Sequence, residues 1–110
     1  MRILNFGSLN LDYTYDVSHF VQAGETLAST GMEVFCGGKG FNQSLAISKC
    51  GQEVWHAGAI GESDGKVLVE ALLEAGVHIN LITTKDGSTG HAIIQKDMSG
   101  QNCILLYGGA

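Results

Sequence analysis

The stretch Glu33-Val34-Phe35-Cys36-Gly37-Gly38-Lys39-Gly40-Phe41-Asn42-Gln43-Ser44-Leu45-Ala46-Ile47 joins two kinds of periodicity. Met32–Cys36 is a short apolar run of strand character. Phe41, Leu45, Ala46 and Cys50 recur at helical spacing, and Gly51 stands where that helix needs a left-handed C-terminal residue. Between the two lie three glycines around one lysine. A strand that turns through glycines into a helix opens a βαβ unit, and the flanking sequence decides whether the unit repeats.

It does repeat. Downstream, Glu53–Gly61 reads as a strand. Ser63 and Asp64 read as the cap of a helix over Lys66–Glu74, with Val67, Leu68, Ala71 and Leu72 turned inward and Gly76 as its stop. Val77–Ile82 reads as another strand. Upstream, Arg2–Ser8 reads as a buried first strand. This alternation predicts right-handed crossovers and a parallel sheet. Two further pieces do not fit that core. Residues 9–17 alternate, with Leu9, Leu11, Tyr13, Tyr15 and Val17 on one side and Asn10, Asp12, Thr14 and Asp16 on the other. His91–Lys96 and Asn102–Tyr107 flank Asp97-Met98-Ser99-Gly100, a hairpin turn by composition. Segments 12–36 and 91–107 are therefore expected to form a small separate sheet.

The chain has 110 residues, enough for one modest domain, and 45% of them are apolar. Net charge is −5 with only six basic residues, which argues against a nucleic-acid surface. No apolar run approaches the roughly 20 residues that cross a bilayer, and the N-terminus has too short an apolar stretch for a secretory signal. No membrane partner and a cytoplasmic location are expected. Cys36, Cys50 and Cys103 have no paired spacing and read as buried small hydrophobes. His19, His56, His78 and His91 share no metal-ligand spacing, so no metal site is expected. Trp55 reads as a core residue.

A glycine turn that opens a helix can present backbone N–H groups to an anion or a close polar ligand. A tight turn with no ligand satisfies the same spacing. The turn is not a phosphate-binding loop of the GxxxxGK[ST] type. The nearest run, Gly61-Glu62-Ser63-Asp64-Gly65-Lys66-Val67, is one residue short and ends in valine, and a dinucleotide fingerprint needs glycine where Gln43 stands. Asn10 and Asp12 leave the first βα position. They and Gly37-Gly38-Lys39 belong at the C-terminal edge of the strands, where open α/β folds bind ligands. A carboxylate and amides there suit a neutral polyol: Asp12 can accept from two hydroxyls, while Asn10 and Asn42 can donate and accept.

The run Gly37–Ala46 resembles the first signature of the ribokinase, or PfkB, family of sugar kinases. Gly7-Ser8-Leu9-Asn10-Leu11-Asp12, Gly58–Gly65, and Ser88–Ala92 through Tyr107–Ala110 resemble that family too, in its order and over essentially the whole chain. The resemblance implies an α/β fold, a ribokinase-like Rossmann-type αβα core with a small β-sheet lid made by residues 12–36 and 91–107. It implies ATP-dependent phosphorylation of a sugar or nucleoside hydroxyl, with ATP and Mg2+ as cofactors. Carried over residue by residue, Asn10 and Asp12 would bind sugar hydroxyls. Gly37, Gly38, Lys39 and Asn42 would complete the pocket, and Ala92 and Leu106 would give apolar contact. The lid makes a dimer contact in many members, so a homo-oligomer is expected, with the Tyr13/Tyr15 face packing within or between lids.

Members of that family run to roughly 300 residues, the size of one large α/β domain. Their second signature, a glycine-alanine-glycine-aspartate run supplying the catalytic base and the anion hole, has no match here, and the ATP pocket lies with it. The resemblance therefore implies the sugar-binding portion of a kinase. No catalytic residue is expected in this chain, which would be inactive alone. The alternatives are a non-catalytic sugar-binding or dimerisation module and a nucleoside kinase fragment, with Phe20, Phe35 and Leu106 as the wall for a base.

Overall fold

The computed structural model describes residues 1–110. In chain order the elements are β1 (Arg2–Phe6), β2 (Asn10–Asp16), β3 (Gly31–Gly37), α1 (Lys39–Lys49), β4 (Glu53–Gly61), α2 (Lys66–Glu74), β5 (His78–Lys85), β6 (His91–Lys96) and β7 (Asn102–Tyr107). The strands divide into two sheets. One is three-stranded, in the order β1-β4-β5, and both of its pairings are parallel. The other is four-stranded, in the order β3-β2-β6-β7, with a parallel β2–β6 seam between two antiparallel pairs. The chain thus forms the expected mixed α/β architecture.

Both helices cover the same face of the parallel sheet. Phe41 from α1, Val54 and Ile60 from β4, Leu68 and Leu72 from α2, and Val77 share one buried cluster with Leu9 and Leu11 at the start of β2. Left-handed glycines end both helices, Gly51 at φ +83° and Gly76 at φ +85°, as their positions predict. The opposite face of the parallel sheet is open. β1 is therefore not the fully buried strand expected of it. Ile3 packs against the core and Asn5 bonds to α1, while Leu4 and Phe6 are 64% and 82% exposed. Trp55 lies on the open side as well. It lines a hollow with Arg2, Ile3, Leu4 and Leu81, and stacks on His78 with ring centroids 4.2 Å apart. It belongs to the surface because nothing in this chain covers that face.

Three local expectations change. The inward side of α1 is Gly40, Phe41 and Ser44, so Ala46 and Cys50 are exposed. Cys103 is exposed and Cys36 half-buried, so none of the three cysteines is a buried core residue. At α2, Val67 faces out and no side chain caps the first turn. Ser63 Oγ donates to the Gly87 carbonyl at 2.9 Å. Asp64 Oδ1 accepts from the Thr89 N–H at 2.8 Å, giving a buried backbone donor its partner.

Candidate functional site

Alternation along β2 builds the site. Asn10, Asp12 and Thr14 share one face of the second sheet, and register carries that face across its neighbours. Asp12 stands opposite Phe35 on β3 and Ala92 on β6, and Ala92 stands opposite Leu106 on β7. A cavity of about 260 Å3 opens here, lined by Asn10, Asp12, His91, Ala92, Leu106, Tyr107 and Gly108. Larger hollows of about 490 and 300 Å3 involve the other face, among His91, Ile93, Leu105 and Tyr107 and beside Tyr15 and Val21. Neither holds a carboxylate. The smaller cavity alone combines one with an amide and two apolar side chains, the mixture a polyol requires.

The glycine turn has a different job from the one its spacing suggests. Gly38 adopts φ +104°, and a Cβ there would lie 2.6 Å from the Ser8 carbonyl oxygen. A Cβ on Gly40 would lie within 2.6 Å of Gly7 Cα. The Phe41 N–H donates to Ser8 O at 3.0 Å. These glycines let the turns at 7–8 and 37–40 pack backbone against backbone. Gly37 serves Asp12 instead: a Cβ there would sit 2.8 Å from the carboxylate oxygen Oδ2. The structure therefore gathers Asn10, Asp12, Ala92 and Leu106 around one cavity, with Gly37 against Asp12. Lys39 and Asn42 are exposed in the first turn of α1, and neither they nor Gly38 line the cavity.

Sequence reasoning missed Tyr107, Gly108 and Gly90. A Cβ on Gly90 would lie 2.9 Å from Asn10 Oδ1 and 2.5 Å from the Gly108 carbonyl oxygen, so this glycine leaves room for the Asn10 amide. Two glycines next to aromatic rings, Gly90-His91 and Tyr107-Gly108, were the available signal. His91 donates from Nδ1 to the Thr89 carbonyl at 2.9 Å, so this nitrogen carries a proton. Its ring meets Tyr13 edge-on at 5.6 Å and Tyr107 at 5.3 Å. Burial, with the Asp64 and Tyr15 charges adding to it, pushes the Tyr13 phenol above its ordinary value, and burial likewise raises the Cys36 thiol.

At the glycine turn, the side of each glycine that a Cβ would occupy is taken by protein atoms. The space beside Gly37, Gly38 and Gly40 is filled by Asp12, Ser8 and Gly7, and the group nearest the turn's first glycine is a carboxylate. No three His, Cys, Asp or Glu side chains converge as a metal site. No helix is long and apolar enough to cross a membrane.

Comparison with known proteins places these features in context. The model of the pfkB family carbohydrate kinases matches residues 2–110. The chain is 39% identical over 112 residues to the bifunctional ribokinase/ribose-5-phosphate isomerase A of Fructilactobacillus sanfranciscensis, covering 99% of this chain and 21% of that protein. It superposes on the ribokinase of Cryptococcus neoformans in complex with ADP with a TM-score of 0.90 at 40% identity, over 96% of this chain and 34% of that one. On the Arabidopsis thaliana ribokinase complexed with ribose and ATP the TM-score is 0.91 at 32% identity, over 99% and 36%. The chain spans about a third or less of the length of these relatives.

Proposed function

Since the chain belongs to the pfkB family of carbohydrate kinases, we propose that it is the acceptor-binding portion of a ribokinase-like enzyme. The second sheet acts as a lid over a sugar, and Asn10 and Asp12 hold its hydroxyls. The observation that carries this reading is the position of Asp12. Its carboxylate stands beside Asn10 in a cavity otherwise walled by Ala92, Leu106 and aromatic edges, which suit the C–H face of a sugar. Ribose is the leading substrate, supported by the ribose-bound relative of Arabidopsis thaliana.

Transfer of a phosphoryl group rests on positioning and on stabilising the charge in motion. In this reading Asp12 and Asn10 position the acceptor, and Gly37 backs the Asp12 carboxylate. ATP with Mg2+ supplies the phosphoryl group from outside these residues. The chain alone binds sugar without transferring phosphate, in the cytoplasm, where its three unpaired cysteines stay reduced. A thermal-shift screen with D-ribose, other pentoses, hexoses and adenosine tests the reading. Ribose raises Tm in the wild type and not in Asp12→Ala. Stabilisation by adenosine alone supports a nucleoside kinase instead, a reading favoured by Phe35 standing opposite Asp12.

A further inference from the structure

Three polar side chains lie between β1, α1 and β4, in an otherwise apolar layer. Ser44 and His56 are wholly buried, and Asn5 is half-buried. Their bonds form one directed chain. Asn5 Nδ2 donates to the Gly40 carbonyl at 2.8 Å and to Ser44 Oγ at 2.9 Å. Ser44 Oγ lies 2.7 Å from His56 Nδ1, and His56 Nε2 lies 3.0 Å from the Gly7 carbonyl oxygen. A carbonyl only accepts, so Nε2 carries the proton. Nδ1 of the neutral ring then accepts from the serine hydroxyl. No buried side-chain polar atom is left without a partner.

The ends of this chain are the two turns that carry the acceptor site. Gly7 O belongs to the peptide unit that leads into Ser8, Leu9 and Asn10. Gly40 lies in the first turn of α1, shortly after Gly37, and Ser44 lies one turn further along the helix. Gly7 has no slack: a Cβ on Gly58 would lie 2.7 Å from Gly7 O, and the Gly7 N–H donates to Ala57 O at 3.1 Å. An apolar side chain would direct neither turn, whereas the imidazole is hydrogen-bonded on both sides.

We propose that His56 is a positioning residue for acceptor binding: as the neutral Nε2–H tautomer it fixes the Gly7–Ser8 peptide and the start of α1, and so the placement of Asn10 beside Asp12. The proposal rests on the sugar reading above for its ligand and on the hydrogen-bond chain for its geometry. Polar neighbours reach the ring only as Ser44 from α1 and the Gly7 carbonyl beyond β1. Burial lowers the proton affinity of the ring and the Gly7 carbonyl opposes it, and no charged side chain is hydrogen-bonded to either ring nitrogen.

NMR of the wild-type chain, joined to D-ribose titrations of two variants, tests it. Ring 15N shifts report the Nε2–H tautomer at neutral pH, and the Ser8 and Asn10 amide signals move with the same midpoint as the ring when acid protonates it. His56→Gln keeps a donor for Gly7 and binds ribose within about twofold of wild type, while His56→Asn reaches only Ser44 and loses about tenfold. An Nδ1–H tautomer, or Ser8 and Asn10 amides indifferent to the ring, overturns the proposal even if neither variant folds. Equal ribose affinity in both variants overturns it too. If the folded wild type binds no ribose, the sugar reading fails, and the tautomer and amide signals still decide the role of His56.

Discussion

At the scale of single residues, the glycines separate two functions that spacing merges. Gly38→Ala puts a side chain at φ +104° and against Ser8, a strain of about 1–3 kcal/mol or more, so Tm falls by several degrees in calorimetry. Gly37 has ordinary φ, and Gly37→Ala presses only on the Asp12 carboxylate. That variant keeps most of its stability and loses about tenfold in ribose affinity by titration calorimetry. Asn10, Asp12, Ala92 and Leu106 were legible in the sequence because a period of two sorts β2 into faces and the family resemblance supplied the partner strands. The close packing of Gly7 on Gly40 was not legible. It joins backbone atoms 33 residues apart, and no local pattern records it. For the same reason the spacing of His56 pointed to no role for it. Its burial holds the imidazole below its ordinary 6.5, against the opposing pull of the Gly7 carbonyl. The folded state then binds fewer protons than the unfolded chain. The stability given by the neutral ring is complete above pH 6.5 and is lost as pH falls through the depressed folded value. Thermal melts at pH 7.5 and 5.0 show a larger drop in wild type than in His56→Phe.

Among the elements, the ends of the helices show which signals are local. Gly51 and Gly76 close α1 and α2 where the sequence places them, because a left-handed residue is a property of one position. Ser63-Asp64 looked like a cap and is not one. A carboxylate before a helix serves equally well as acceptor for a distant backbone, and Thr89 claims it. Thr89 in turn gives its Oγ1 to the Gly61 N–H at 2.9 Å, which ties the end of β4 to the start of β6. Asp64→Ala leaves the Thr89 N–H short of its partner and costs about 1–3 kcal/mol in denaturant unfolding, while Asp64→Asn keeps an acceptor and most of the stability. Ser63→Ala, at an exposed site, changes the midpoint little.

For the molecule as a whole, the two sheets face different tasks. The parallel sheet is roofed on one side by α1 and α2 and bare on the other, where Leu4, Phe6, Trp55 and Leu81 form an apolar patch. The βαβ pattern predicted strands there and could not say that nothing in these residues covers them. Such a patch drives association. Light scattering at tens of micromolar, roughly the range where exposed apolar surface associates, is expected to find oligomers, reduced in Leu4→Asp/Phe6→Ser without loss of ribose affinity. The second sheet carries the claim about function, and it stands or falls with one carboxylate. Titration calorimetry of D-ribose into the wild-type chain and Asp12→Ala tests it most directly. Saturable binding is expected of wild type, weakened about tenfold or more in a variant of unchanged melting temperature. A folded wild type that takes no ribose, or equal binding by both proteins, contradicts it.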